Sequence, residues 1–154
     1  MEQNPMAIGE ICNREVVFAR RDDSVKDAAQ LMREHHVGDL VIVEESDGRR
    51  LPCGVLTDRD IVVGVVAKGL DPDSLEVAEV AGGELVLARE TDGVAETIEL
   101  MRVKGVRRVP IVDARGSLVG IVTADDILDL LAEELTALAR IVSRGQRREI
   151  QLRK

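Results

Sequence analysis

Short apolar runs and amphipathic stretches alternate along this chain, and the whole alternation occurs twice. Residues 16–19 and 85–88 are apolar runs that suit strands. Asp23-Ser24 then precedes Val25, Ala28, Ala29 and Met32, apolar at i, i+3, i+4 and i+7, which marks one face of a helix. Ser24 and Asp27 have the spacing of a capping box that opens it. The counterpart runs from Asp92 through Val94, Ile98 and Met101, and Gly105 supplies a residue suited to ending it. Residues 40–43 and 109–112 read as second strands, followed by the turn residues Ser46-Asp47-Gly48 and Ala114-Arg115-Gly116. A third strand begins at Gly54 and again at Gly120, running into helices at 58–66 and from 124 onward. Each half therefore predicts strand–helix–strand–strand–helix, an α/β (α+β) unit.

The two halves are copies. Residues 8–43 align with 77–112 at a constant offset of 69, with 13 of 36 positions identical. The octet Gly54-Val55-Leu56-Thr57-Asp58-Arg59-Asp60-Ile61 returns as Gly120-Ile121-Val122-Thr123-Ala124-Asp125-Asp126-Ile127, at an offset of 66. With only two long copies the period excludes a solenoid and implies an intramolecular pseudo-dimer. The expected organisation is a first repeat at 7–66, a linker at 67–76, a second repeat at 77–133, and an extended C-terminal helix with a basic tail at 134–154. A pseudo-two-fold axis should relate the repeats, their short sheets packing face to face and Thr57 and Thr123 lining symmetric clefts.

Composition adds exclusions. A net charge of −8 argues against general nucleic-acid binding, which needs cations to neutralise phosphate. Phe18 is the lone aromatic residue, so no base-stacking platform exists and a flat ligand would lie between aliphatic side chains. The longest apolar runs fall short of a membrane span, and Met1-Glu2-Gln3-Asn4-Pro5 lacks a signal pattern, so the expected location is the cytoplasm. Cys12 and Cys53 lack CxxC spacing and are expected as reduced thiols packed as small hydrophobes. His35-His36 with Asp39 has no third soft ligand at a recognisable spacing, so no metal site is expected. No nucleophile–base pair or phosphate-binding loop points to catalysis.

The octets and the join Gly105-Val106-Arg107-Arg108-Val109-Pro110-Ile111-Val112-Asp113 resemble a tandem pair of CBS domains, or Bateman module. The resemblance covers roughly residues 7–133, and 56–62 with 69–72 is similar to small stand-alone bacterial two-CBS proteins. It implies a regulatory sensor, not an enzyme, that binds adenosine-containing ligands (AMP, ADP, ATP, NAD or S-adenosylmethionine) between the repeats and signals to an unidentified protein partner. Thr57-x-x-Asp60 and Thr123-x-x-Asp126 also fit simple helix caps. A hydroxyl and a carboxylate one turn apart suit a ribose as well, and a helix start favours nearby phosphate.

Carried over by the resemblance, the Thr123/Asp126 site takes Arg108 as phosphate partner and Val17, Val37, Gly38, Asp39 and Val41 as its adenine wall. The Thr57/Asp60 site takes Val86, Val106, Arg107 and Pro110. Where the first site has Arg108 the second has Asp39, which repels phosphate unless Arg59 or His36 compensates. The Arg108 site is thus the expected nucleotide-phosphate site. The final helix, read as running from Ala124 to about Ser143, carries Ile127, Leu131, Leu135, Leu138 and Val142 as a stripe expected to pair in a homodimer. The alternative is a structural or adaptor homodimer with degenerate clefts, acting through the run Arg140, Arg144, Arg147, Arg148, Arg153 and Lys154.

Overall fold

The computed structural model describes residues 6–153. The N-terminal reading at Met1–Pro5 and the last residue of the basic run, Lys154, lie outside the described residues. The chain divides into two compact units, one ending at Val122 and the other beginning at Thr123.

Two three-stranded sheets carry the fold. In the first, β1 (Phe18–Arg20) pairs in parallel with β2 (Asp39–Ser46), which pairs antiparallel with β3 (Arg49–Thr57). Helix α1 (Val25–His35) makes the β1-to-β2 crossover. Ser24 caps it by accepting from Asp27 N–H, the hydroxyl half of the expected box. After β3 comes α2 (Asp58–Ile61), and residues Val62–Val66 then widen into a π-helical turn. The sequence pattern predicts one α-helix over 58–66. Its second half is a run of valines around Gly64, and β-branched side chains crowd an α-helical turn.

The second half repeats this. A short helix α3 (Val77–Val80) leads to β4 (Ala88–Arg89), α4 (Val94–Lys104), β5 (Arg108–Val112) and β6 (Leu118–Thr123), in the order β4-β5-β6. Gly105 ends α4 at φ 65°, and His36 ends α1 at φ 53°. Strands β1 and β4 start two or three residues later than their apolar runs. Pairing, not hydrophobicity, sets their start: the ladders begin at Phe18↔Val41 and Ala88↔Ile111.

Each repeat's lead-in is hydrogen-bonded to the other repeat, and the bonds match at an offset of 69. Ile8 N–H donates to Asp92 O (2.7 Å) and Val77 N–H to Asp23 O (2.9 Å). Gly9 donates to Glu90 O (3.0 Å) and Ala78 to Arg21 O (3.1 Å). Val94 donates to Met6 O (3.2 Å) and Val25 to Leu75 O (2.9 Å). Ile8 and Val77, equivalent by the same offset, are both wholly buried. Such reciprocity is the signature of a pseudo-two-fold axis between the repeats. Residues 67–76 do more than link: Lys26 N–H donates to Pro72 O, and Lys26 pairs with Asp73 at 3.4 Å.

One core wraps α1 against the first sheet through Ala28, Met32, Leu40, Ile42 and Leu56, closed by Val77 from the second repeat. Burying a side chain of this size contributes about 1.5–3 kcal/mol.

The second unit is α5, Ala124–Leu152, nine residues longer than the sequence reading. Residues 146–152 are mostly good helix formers, and Gly145 costs only about 1 kcal/mol. The arginines read as a tail are therefore helical as far as Arg148. Ile127, expected in the stripe, is instead buried, and exposed Leu128 joins Leu131, Leu135, Leu138 and Val142 in its place.

Candidate functional site

Both octets end a strand and start a helix, and both form reciprocal caps. Thr57 Oγ1 accepts from Asp60 N–H at 3.1 Å, while Asp60 Oδ2 accepts from Thr57 N–H at 2.9 Å. At the start of α5, Thr123 Oγ1 accepts from Asp126 N–H at 3.1 Å and Asp126 accepts from Thr123 N–H at 3.3 Å. Each box satisfies two amides that a helix start leaves unpaired. It leaves the second carboxylate oxygen and the hydroxyl hydrogen without a partner among the described residues, so capping does not exhaust the motif's chemistry.

The Thr57/Asp60 pair opens on a cleft of about 300 Å³ between the repeats. Val55, Val86 and Val106 form its apolar wall, while Lys104, Arg107, Arg108, Glu84, Gly82 and Gly83 surround the polar part. Three basic side chains and the acids Asp60 and Glu84 thus face the same cleft. Lys104 is held by Glu84 at 2.8 Å. Sequence reasoning named Thr57, Asp60, Val86, Val106 and Arg107, and the structure brings these together. It missed Val55, Gly82, Gly83, Glu84 and Lys104.

The glycines carried a signal. Under the 69-residue offset, Gly82-Gly83 stands where the first repeat has Asn13-Arg14. Asn13 is stitched to β6 by two bonds of 2.9 Å, Asn13 N–H to Ile121 O and Ile121 N–H to Asn13 O. Gly120 lets the strands approach there, because a Cβ on it would lie 3.0 Å from Asn13 O and closer still to Cys12 Sγ. Among the described residues no equivalent bridge joins Gly82 to Val55. That edge of β3 stays open and forms the cleft floor.

Arg108, expected as the phosphate partner of Thr123/Asp126, lines the Thr57/Asp60 cleft. Its Nε also donates to Asp39 Oδ1 at 2.7 Å, with the Asp39 side chain only 12% exposed. The carboxylate expected to spoil this cleft for phosphate is therefore paired with an arginine. Burial pushes the Asp39 carboxyl up; Arg108 pulls it back, and Asp58 adds to the rise. Arg59 is exposed at the helix start, its amide donating to Asp58, and His36 is an exposed helix end, so neither is on the cleft.

Of the other expected wall residues, Val17 and Val37 share an open hollow with Asn13, Glu15, Phe18, Leu31 and His35. Under the 69-residue offset Asn13, Glu15, Val17, His35 and Val37 are the counterparts of Gly82, Glu84, Val86, Lys104 and Val106 in the first cleft. Gly38 uses its carbonyl to accept from Asp58 N–H at 2.9 Å. Val41 and Pro110 are buried inside β2 and β5. Both cysteines are free thiols; Cys12 is half-buried, whereas Cys53, expected to be packed, is exposed, and desolvation raises both thiols.

Residues 8–66 and 77–133 each match the CBS domain family. This chain belongs to the CBS-domain family. It is 39% identical over 124 residues to hypoxic response protein 1 of Mycobacterium tuberculosis, covering 80% of this chain and 84% of that protein. It is 38% identical over 125 residues to the uncharacterized protein MK0525 of Methanopyrus kandleri, covering 81% of this chain but only 62% of that protein's length. The crystal structure of Hypoxic Response Protein I with two coordinated zinc ions superposes with a TM-score of 0.69 at 36% identity, over 80% of this chain and 97% of that one. The CBS domain pair of MJ0100, in complex with 5'-methylthioadenosine and S-adenosyl-L-methionine, gives 0.71 at 25% identity, covering 84% and 98%. The AMP complex of PAE2072 from Pyrobaculum aerophilum gives 0.68 at 27% identity, covering 78% and 88%. Among the described residues of this CBS pair, no three His, Cys, Asp or Glu side chains converge as metal ligands. No described helix is long and apolar enough to cross a membrane.

Proposed function

We propose that this CBS pair is a regulatory module, without chemistry of its own, that senses an adenosine nucleotide in the Thr57/Asp60 cleft. One observation carries the reading: the cleft joins an apolar valine wall, a Thr–Asp pair with spare hydrogen-bonding capacity, and cationic side chains. Those are respectively what an adenine, a ribose diol and a phosphate need. The CBS pairs that hold AMP, methylthioadenosine and S-adenosylmethionine support the ligand class. AMP, ADP, ATP, NAD and S-adenosylmethionine are all candidates, and the output is a ligand-dependent shape presented to a partner in the cytoplasm.

A homodimer belongs to the same reading, supported by the exposed leucines of α5. Leu128, Leu131, Leu135, Leu138 and Val142 follow 3-4-3-4 spacing, the seam of a helix pair. Acidic side chains occupy the first third of α5 and arginines its second half, so a second copy lying antiparallel would meet opposite charge.

Thermal melts with each nucleotide in turn test the proposal. A ligand at 100 times its dissociation constant adds about 2.7 kcal/mol of stability. A melting temperature unmoved by millimolar AMP, ATP, NAD and S-adenosylmethionine would overturn it.

A further inference from the structure

Asp39 and Arg108 are the same position in the two repeats, since 39 and 108 differ by the repeat offset of 69. They also touch, at 2.7 Å. In a two-fold arrangement a residue meets its own equivalent only beside the axis, so this ion pair sits where the repeats turn about each other. Two arginines there would repel, and so would two aspartates; the chain carries one of each. Asp39 opens β2 and is paired in register with Thr57, while Arg108 opens β5 and lines the cleft. The guanidinium therefore stands between two possible anions, the Asp39 carboxylate behind it and any phosphate in front.

We propose that Asp39 is a specificity-determining positioning residue, competing for Arg108 and so setting how strongly the Thr57/Asp60 cleft favours a phosphate-bearing ligand over an uncharged nucleoside. A phosphate draws Arg108 forward and leaves Asp39 with a weaker partner at the inter-repeat axis. Adenosine leaves the pair intact. Ligand charge is thereby converted into the presence or absence of one bond joining β2 of the first repeat to β5 of the second. The inference rests on the nucleotide reading of the cleft.

Calorimetric titration of wild type, Asp39→Asn and Asp39→Ser with AMP and with adenosine tests it. Arg108 is partly exposed, so its pair with Asp39 is screened, and freeing it is expected to raise the AMP-to-adenosine affinity ratio by about threefold to tenfold. Arg108→Gln should lower that ratio below the wild-type value, and adding Asp39→Asn to Arg108→Gln should shift it no further. A thermal melt confirms that each variant is folded, and the serine variant serves if the asparagine variant is not. A ratio that stays at the wild-type value in the folded Asp39 variants overturns the competition while leaving nucleotide binding standing. An Asp39→Asn effect of equal size in the Arg108→Gln background overturns it too, because the effect would not pass through Arg108. If wild type binds neither AMP nor adenosine, the competition is overturned, whereas the nucleotide reading falls only if ATP, NAD and S-adenosylmethionine also leave the melting temperature unmoved.

Discussion

Asp60 is where capping and ligand recognition separate most cleanly. Asp60→Ala removes the acceptor that Thr57 N–H uses at 2.9 Å but keeps the Thr57 hydroxyl's bond to the backbone amide of residue 60. Half of a capping box on a partly exposed helix start is worth about 1 kcal/mol, so the melting temperature should fall modestly. The ligand term is larger. A carboxylate accepting from ribose hydroxyls makes hydrogen bonds to a charged group, each worth about 1.5–3 kcal/mol, so adenosine affinity should fall roughly tenfold to a hundredfold. Asp60→Asn separates the two roles. Its amide oxygen can still accept from Thr57 N–H, so stability should stay near wild type, while loss of the charge weakens the ribose contact. Adenosine is the right probe because it lacks phosphate and takes Arg108 out of the comparison. The measurements are calorimetric titration with adenosine and thermal melts of all three proteins. If Asp60→Ala loses about 1 kcal/mol of stability yet binds adenosine within about twofold of wild type, the octet is a helix cap alone and the ribose assignment is wrong.

Three further outcomes are expected. Leu135→Glu with Leu138→Glu, at two exposed seam positions, should shift the mass measured by light scattering from dimer to monomer; wild type already monomeric at micromolar concentration refutes pairing through α5. Gly9→Ala places a Cβ 2.7 Å from Glu90 O and 2.8 Å from Glu90 Cβ, so it should destabilise by about 1–3 kcal/mol in chemical denaturation. Ala78, its equivalent, makes the same inter-repeat bond with a methyl in place, so Ala78→Gly should lack that clash signature. Asp39's carboxyl is raised by burial, so the native state holds that proton more tightly than the unfolded chain does. Ionised Asp39 thus opposes folding at neutral pH, and this penalty fades as pH falls through its folded value towards the unfolded one. Asp39→Asn should therefore be at least as stable as wild type in denaturation at neutral pH, with the difference shrinking in acid; a widening gap would contradict the sign.

Much of this fold is readable locally. The apolar spacing of Val25, Ala28 and Met32, the helix-ending Gly105 and the Thr-x-x-Asp caps all report interactions between residues within a turn of each other, which a chain displays without folding. The 69-residue offset went further, since a duplicated unit with one buried face pairs with its copy, and the reciprocal bonds at Ile8/Asp92 and Val77/Asp23 follow from it. That reasoning also named Thr57, Asp60, Val86, Val106 and Arg107, which share the cleft. It assigned Arg108 to the Thr123/Asp126 site, and the structure shows Arg108 lining the Thr57/Asp60 cleft. Whether an arginine serves the cleft of its own octet or the opposite one depends on how the repeats turn about their axis, and that is invisible in a string of residues. The sealed β6 edge at Asn13 likewise comes from pairing with Ile121, more than a hundred residues away, and the open β3 edge at Gly82 from the lack of its counterpart among the described residues. The length of α5 is intermediate. Helix propensity carries it past Ser143, but only the burial of Ile127 shows that the exposed apolar stripe begins at Leu128. Local periodicity is set by covalent geometry, whereas the lining of a cleft is set by which distant surfaces become neighbours once the apolar faces are buried.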